Sequence, residues 1–98
     1  MSTPQPDQQF WAVADAVIHA ANAQCDDAPR TKVAAATLFA AARFNVFVLA
    51  AGTTSAEALG ARREEAVAYL TDQFGKMLRD NFREYERNFD RYVPQPPQ

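Results

Sequence analysis

An all-α fold follows from three observations on the chain: apolar residues recur at three- and four-residue steps, no segment alternates with the two-residue period of a strand, and strong stop signals separate the helical runs. The pattern predicts three helices, over residues about 8–25, 30–51 and 55–92, in an antiparallel bundle whose C-terminal helix is overlong. Residues 1–7 and 93–98 are rich in Pro and Gln and hold few apolar groups to repay ordering. They are expected as tails on one helical domain spanning 8–92.

In the first helix Phe10, Ala14, Val17, Ile18, Ala21 and Cys25 share a face, and Asp7 is placed to cap the N-terminus. The Asp26-Asp27 pair opposes the C-terminal dipole of this helix but suits the start of the next, and Pro29 fits a first helical turn, so a turn is expected over 26–28. The second helix is apolar around nearly its whole circumference after Val33, the mark of a helix covered on several sides. Its alanines, among them Ala34, Ala35, Ala41 and Ala42, permit close approach of neighbours, while Phe39, Phe44, Phe47 and Leu49 fill the volume between. Gly52 ends it.

The third helix opens at Thr54-Ser55-Ala56-Glu57, which reads as a capping box, and stops before Pro94, which pushes Val93 out of the α region. Its apolar stripe runs through Val67, Leu70, Phe74, Leu78, Phe82, Tyr85, Phe89 and Tyr92. Gly60 and Gly75 lie inside the pattern; one continuous helix is expected, with a kink at Gly60 as the alternative. At ~1.5 Å per residue the three helices span about 27, 33 and 55 Å, so roughly 20 Å of the third lacks a neighbour. That stretch holds Phe82, Tyr85, Phe89 and Tyr92 on one face, which predicts a homodimer or higher homo-oligomer burying the four rings between copies. The alternative is that the last turns fray or fold back near Asn81 or Asn88. The opposite face, from Asp72 to Arg91, carries charges of both signs that cancel, a solvated face.

At 98 residues, 48% of them hydrophobic and 22% charged, the chain suits one domain with one core. A net charge of −2 and a pI near 5.2 supply no field for phosphates, so nucleic acid is not expected as a partner. The single Cys25 cannot form an internal disulfide and reads as a small core residue. The first nine residues lack the basic and apolar regions of a signal peptide, so a cytoplasmic location is expected. Residues 33–51 form an apolar run interrupted only by Thr37, Arg43 and Asn45, which raises the question of a membrane span. Its many alanines and a central arginine costing at least ~2.5 kcal/mol in a bilayer favour a helix buried in protein, with no membrane contact.

The polar residues that could carry chemistry are few. His19 is the only histidine, with Asp15 one turn before it, a spacing that allows either a hydrogen-bonded pair or half of a metal site. Glu64 and Glu65 have Val67 and Ala68 where a helical di-metal site needs histidine. No metal and no cofactor is predicted, although a site shared between two copies stays open. Phosphate loops, nucleophile elbows and paired cysteines do not occur, which favours a non-enzymatic protein. Asp15, His19, Asn22, Arg43 and Asn45 form a candidate ligand-binding set, with Arg43 positioned to take a carboxylate or phosphate. The structural reading is preferred: an ion pair between Asp15 and Arg43 across the first two helices, the asparagines satisfying leftover donors and acceptors. Trp11 and Phe10 likewise read as a core anchor.

Phe10-Trp11 with Ala14-Asp15 and Ala21-Asn22, then Ala41-Ala42-Arg43-Phe44-Asn45, then Arg63-Glu64-Glu65-Ala66 ahead of Tyr69-Leu70, form a pattern that resembles a family of short bacterial proteins catalogued only as a domain of unknown function. The likeness spans roughly residues 10–92, and its most specific part is the Ala-Ala-Arg-Phe-Asn run at 41–45. It implies a bacterial source and a helical fold, and brings no activity, cofactor or catalytic residue. The leading expectation is therefore a non-enzymatic, oligomeric helical module that binds another protein or serves regulation. Its rival is a small-ligand-binding or enzymatic domain built on the Asp15, His19, Arg43 and Asn45 cluster.

Overall fold

The computed structural model describes residues 6–93, and within them the protein is all-α. Its helical segments are α1 (Gln8–Gln24), α2 (Arg30–Ala51), α3 (Ala56–Ala61), α4 (Arg63–Arg87) and α5 (Phe89–Tyr92). The Pro/Gln tails expected at the two ends lie mostly outside the described residues. The chain divides after Gly52 into two units, α1 with α2 and α3 with α4 and α5.

In the first unit the local signals act as read. The Asp7 carboxylate accepts the Phe10 N–H at 2.8 Å, one of the donors that a helix start leaves free. α1 ends at Gln24, with Cys25 as its last capping residue, and the chain turns over 25–27. Pro29, in extended conformation, stands just ahead of α2. Gly52 does end α2, with φ −93° and its N–H on the Leu49 carbonyl at 3.2 Å. The helix therefore stops by a tightened last turn and not by a left-handed cap.

Packing in this unit departs from expectation. Val33 is its one buried residue among those described, and Ala21, Cys25 and Ala28 are half-buried, so α1 and α2 meet beside the turn that joins them. Beyond it they leave each other's faces open. Trp11, Val17 and Ile18 on α1 and Leu38 and Phe44 on α2 are exposed, and Phe39 and Phe47 each keep 65% of their surface. The phenylalanines predicted to fill a core thus fill none within their own unit, and Trp11, in edge-on contact with Phe10 at 5.0 Å, keeps 57% of its surface exposed. By length and composition α2 is apolar enough to cross a membrane, with mean hydropathy 1.8 and only 6% of the apolar window buried. The helix expected to be covered on several sides is uncovered.

In the second unit Ser55, not Thr54, caps α3, its hydroxyl accepting the Ala58 N–H at 3.1 Å. Glu57 then falls at the second helical position, where it meets the N-terminal dipole but does not close a capping box. The single helix expected over 55–92 is divided twice. The first break is at Arg62, two residues past Gly60: its N–H goes to the Leu59 carbonyl and its own carbonyl accepts from Ala66, so one residue separates two helices. α3 contacts α4 there, and Ala66 is buried. The second break, at Asn88 (φ −121°, ψ 36°), separates α4 from α5. The longest uninterrupted helix is α4, at ~37 Å for 25 residues, against ~33 Å for α2. The C-terminal helix is not overlong, and the case for association made on its length falls.

Candidate functional site

The break at Asn88 reorganises the predicted aromatic face. In a continuous helix residues seven apart rise ~10.5 Å along the axis. Tyr85 and Tyr92 instead stack with ring centroids 4.2 Å apart and planes 20° from parallel, so the chain bends back between them. The Tyr92 hydroxyl donates to Glu84 Oε1 at 3.0 Å, and Asn88 Nδ2 donates to the same oxygen at 3.0 Å. The Glu84 carboxylate raises the pKa of the Tyr92 phenol above its ordinary value, chiefly by accepting this hydrogen bond, with partial desolvation and the carboxylate's charge adding and the nearby Arg91 charge opposing. Of the four rings assigned to an interface, Tyr85 and Tyr92 thus cover each other in part, while Phe82, at 65% exposure, and Phe89 stay open. The alternative of a chain folding back near Asn88 describes what occurs. The role of Glu84 as the shared acceptor is hidden in the sequence because it looks like one more charge on a solvated face, although Glu84, Asn88 and Tyr92 stand at successive four-residue steps.

The polar set in the first unit is distributed, not assembled. Asp15, His19 and Asn22 are exposed on α1, and Arg43 and Asn45 are exposed on α2. No hydrogen bond or ion pair joins any two of them, and the Asp15 to Arg43 pair expected within the chain is absent. Asn45 Nδ2 donates back to the Ala41 carbonyl of its own helix at 2.8 Å. Asp15 and Arg43 have no ion-pair partner among the described residues, where the ion pairs are Arg63–Glu64, Lys76–Asp72 and Arg83–Asp80. All three lie on the surface of α4: Lys76–Asp72 and Arg83–Asp80, at four- and three-residue spacing, contribute about 0.2–0.5 kcal/mol each, and Arg63–Glu64, between adjacent exposed residues, adds nothing comparable. Cys25 Sγ donates to the Ala21 carbonyl at 3.7 Å. No group of three or more His, Cys, Asp or Glu comes together among the described residues in a way that would hold a metal. A shallow open depression along α4, between Val67 and Arg79, is lined by that one helix alone and cannot enclose a ligand.

A family described as "Protein of unknown function (DUF3144)" matches the chain over residues 10–86. The chain belongs to this family. The matched region takes in both units and stops short of α5, so Asp15, Arg43 and the α4 surface up to Tyr85 lie in the DUF3144 region while Phe89 and Tyr92 lie outside it. Searches of curated proteins and of solved structures found no match. The DUF3144 assignment carries no activity, and function must be argued from the surfaces of the chain itself.

Proposed function

We propose that residues 8–92 act as a non-enzymatic, self-associating helical module, a bacterial cytoplasmic protein that completes its core between copies and offers the outer surface to another protein. The observation that carries this reading is α2, apolar around nearly its whole circumference after Val33 and mostly uncovered within its own unit, with Phe39 and Phe47 as its most open side chains. A helix of that kind is stable in water only when neighbours close around it. Lipid is the less suitable cover, because Arg43 lies inside the apolar run and costs ~2.5–3.5 kcal/mol at a bilayer centre, whereas a protein neighbour can supply a counter-charge. Phe82 and Phe89 add a second open apolar surface, and the dimer contact assigned to Phe82, Tyr85, Phe89 and Tyr92 stays part of the proposal with those two rings as its core. The antiparallel bundle is, in this reading, a property of the assembly.

Sedimentation velocity or light scattering on the purified protein tests it. A dimer or larger species at micromolar concentration is expected, and a concentration-independent monomer overturns it. A small-ligand site built on Asp15, His19, Asn22, Arg43 and Asn45 has the unpaired Arg43 in its favour. A thermal-shift series with inorganic phosphate separates the two: a rise of several degrees that Arg43→Ala abolishes favours the ligand site.

A further inference from the structure

We infer that two copies interlock through their N-terminal units, the Asp15 face of α1 in one copy meeting the Arg43 face of α2 in the other, with this pair of opposite charges fixing the register. The inference rests on the self-association proposed above and names its contact. On α2, Arg43 sits one turn from Phe39 and one turn from Phe47, the two most exposed phenylalanines of that helix. On α1, Asp15 sits between Trp11 and Ile18, both exposed. Each helix therefore presents an open apolar face with a single charge at its centre, and the two charges have opposite sign.

Neither face is turned toward the contact that the unit makes with itself. The half-buried stripe of α1 is Ala14, Ala21 and Cys25, and Asp15 lies roughly 100° around the helix from it. The buried residue of α2 is Val33, and Arg43 lies roughly 80° around from that. An in-chain pair would require both helices to rotate away from the contact they have. A second copy requires no such change.

Charge selects a second copy over an unrelated partner. Asp15 is the one acid inside α1, which holds no lysine or arginine and is flanked by Asp7, Asp26 and Asp27, while α2 holds Arg30, Lys32 and Arg43 and no acid. Helices of opposite charge make the chain complementary to itself, and a two-fold axis makes both contacts at once, Asp15 to Arg43 in each direction. Area is sufficient as well. Trp11 and Ile18 beside Asp15, and Phe39, Val46 and Phe47 beside Arg43, present on the order of 80–100 Å² each, so roughly 400–500 Å² of apolar side chain per copy, the apolar share of the ~800 Å² that a stable interface takes from each partner.

Reciprocal charge reversal tests the contact. Asp15→Arg and Arg43→Asp each place like charges opposite one another in both halves of a homodimer, and each is expected to weaken self-association at least about tenfold. Mixing the two variant chains, refolded together and distinguished by mass, restores opposite charges in both halves of a heterodimer. Preferential heterodimer formation over either homodimer is the expected result. A double variant that recovers assembly alone while the mixture does not would place the pair within one chain and overturn the inference. Single variants that dimerise as tightly as the wild type, or a mixture that pairs at random, overturn it while leaving self-association standing. A wild-type monomer that co-floats with phosphatidylcholine vesicles would remove both, assigning α2 to lipid.

Discussion

Tyr92 is held by a single acceptor, and that makes it the most readable residue in the chain. Its hydroxyl donates to the Glu84 carboxylate while its ring lies on Tyr85. Because the bond favours the protonated phenol, Tyr92 should ionise above the ~10 of an ordinary tyrosine. A group whose folded pKa is raised contributes its stabilisation fully below the unfolded value, and that contribution is lost as pH rises through the folded one. A titration that follows Tyr92 alone, by NMR of its labelled ring, should therefore show a raised ionisation that moves down in Glu84→Ala. Asn88→Ala removes the second donor to Glu84 and favours helix by about 0.5 kcal/mol, so it should fuse α4 with α5 and draw Tyr92 away from Tyr85. Periodicity places Tyr92 as one of four rings on a straight face, because it assumes a continuous helix and cannot see a side chain competing for the backbone at Asn88. Asp15 and Arg43 were recognised as charges amid apolar neighbours, but their partner depends on geometry that no spacing encodes.

At the scale of elements, the helix starts and stops followed local chemistry and were legible to within a residue or two. Asp7, Pro29, Gly52 and the Thr54-Ser55 pair all stand at boundaries, since caps and breakers act over a single turn. The break at Arg62 falls two residues past Gly60, where the sequence offers a kink, and its exact place is not legible because arginine is a good helix former. Two substitutions separate these influences. Ser55→Ala removes the oxygen that accepts the Ala58 N–H and should cost α3 about 1 kcal/mol, read as faster amide exchange at Ala58 and Leu59 with α4 unaffected. Gly60→Ala should act oppositely. Nothing lies within 4 Å of a Cβ built at Gly60, so the methyl is accommodated and should stabilise α3 by up to ~1 kcal/mol, seen as a higher melting temperature. Were Gly60 the hinge, that variant would instead abolish the break at Arg62; the placement of the turn hydrogen bond on Leu59 predicts that the break persists.

For the whole molecule the relevant fact is how little of its apolar surface either unit covers by itself. Val33 and Ala66 are the buried hydrophobic residues among those described, and most long apolar side chains of α2 and α4 stay open, Leu49 and Leu70 being half-buried. Intrinsic propensity alone leaves helices of this length marginal in water, and tertiary packing normally supplies the difference. If copies supply the packing, then folding and association are one equilibrium, and stability must depend on how much protein is present. The melting temperature followed by far-ultraviolet circular dichroism should rise steadily with concentration across a hundred-fold series, and at the dilute end helicity should fall before any heating. Asp15→Arg should displace the whole curve toward higher concentration, and equimolar Arg43→Asp should bring it back. A self-sufficient monomer predicts the opposite, one melting temperature at every dilution, because a unimolecular transition has no concentration term.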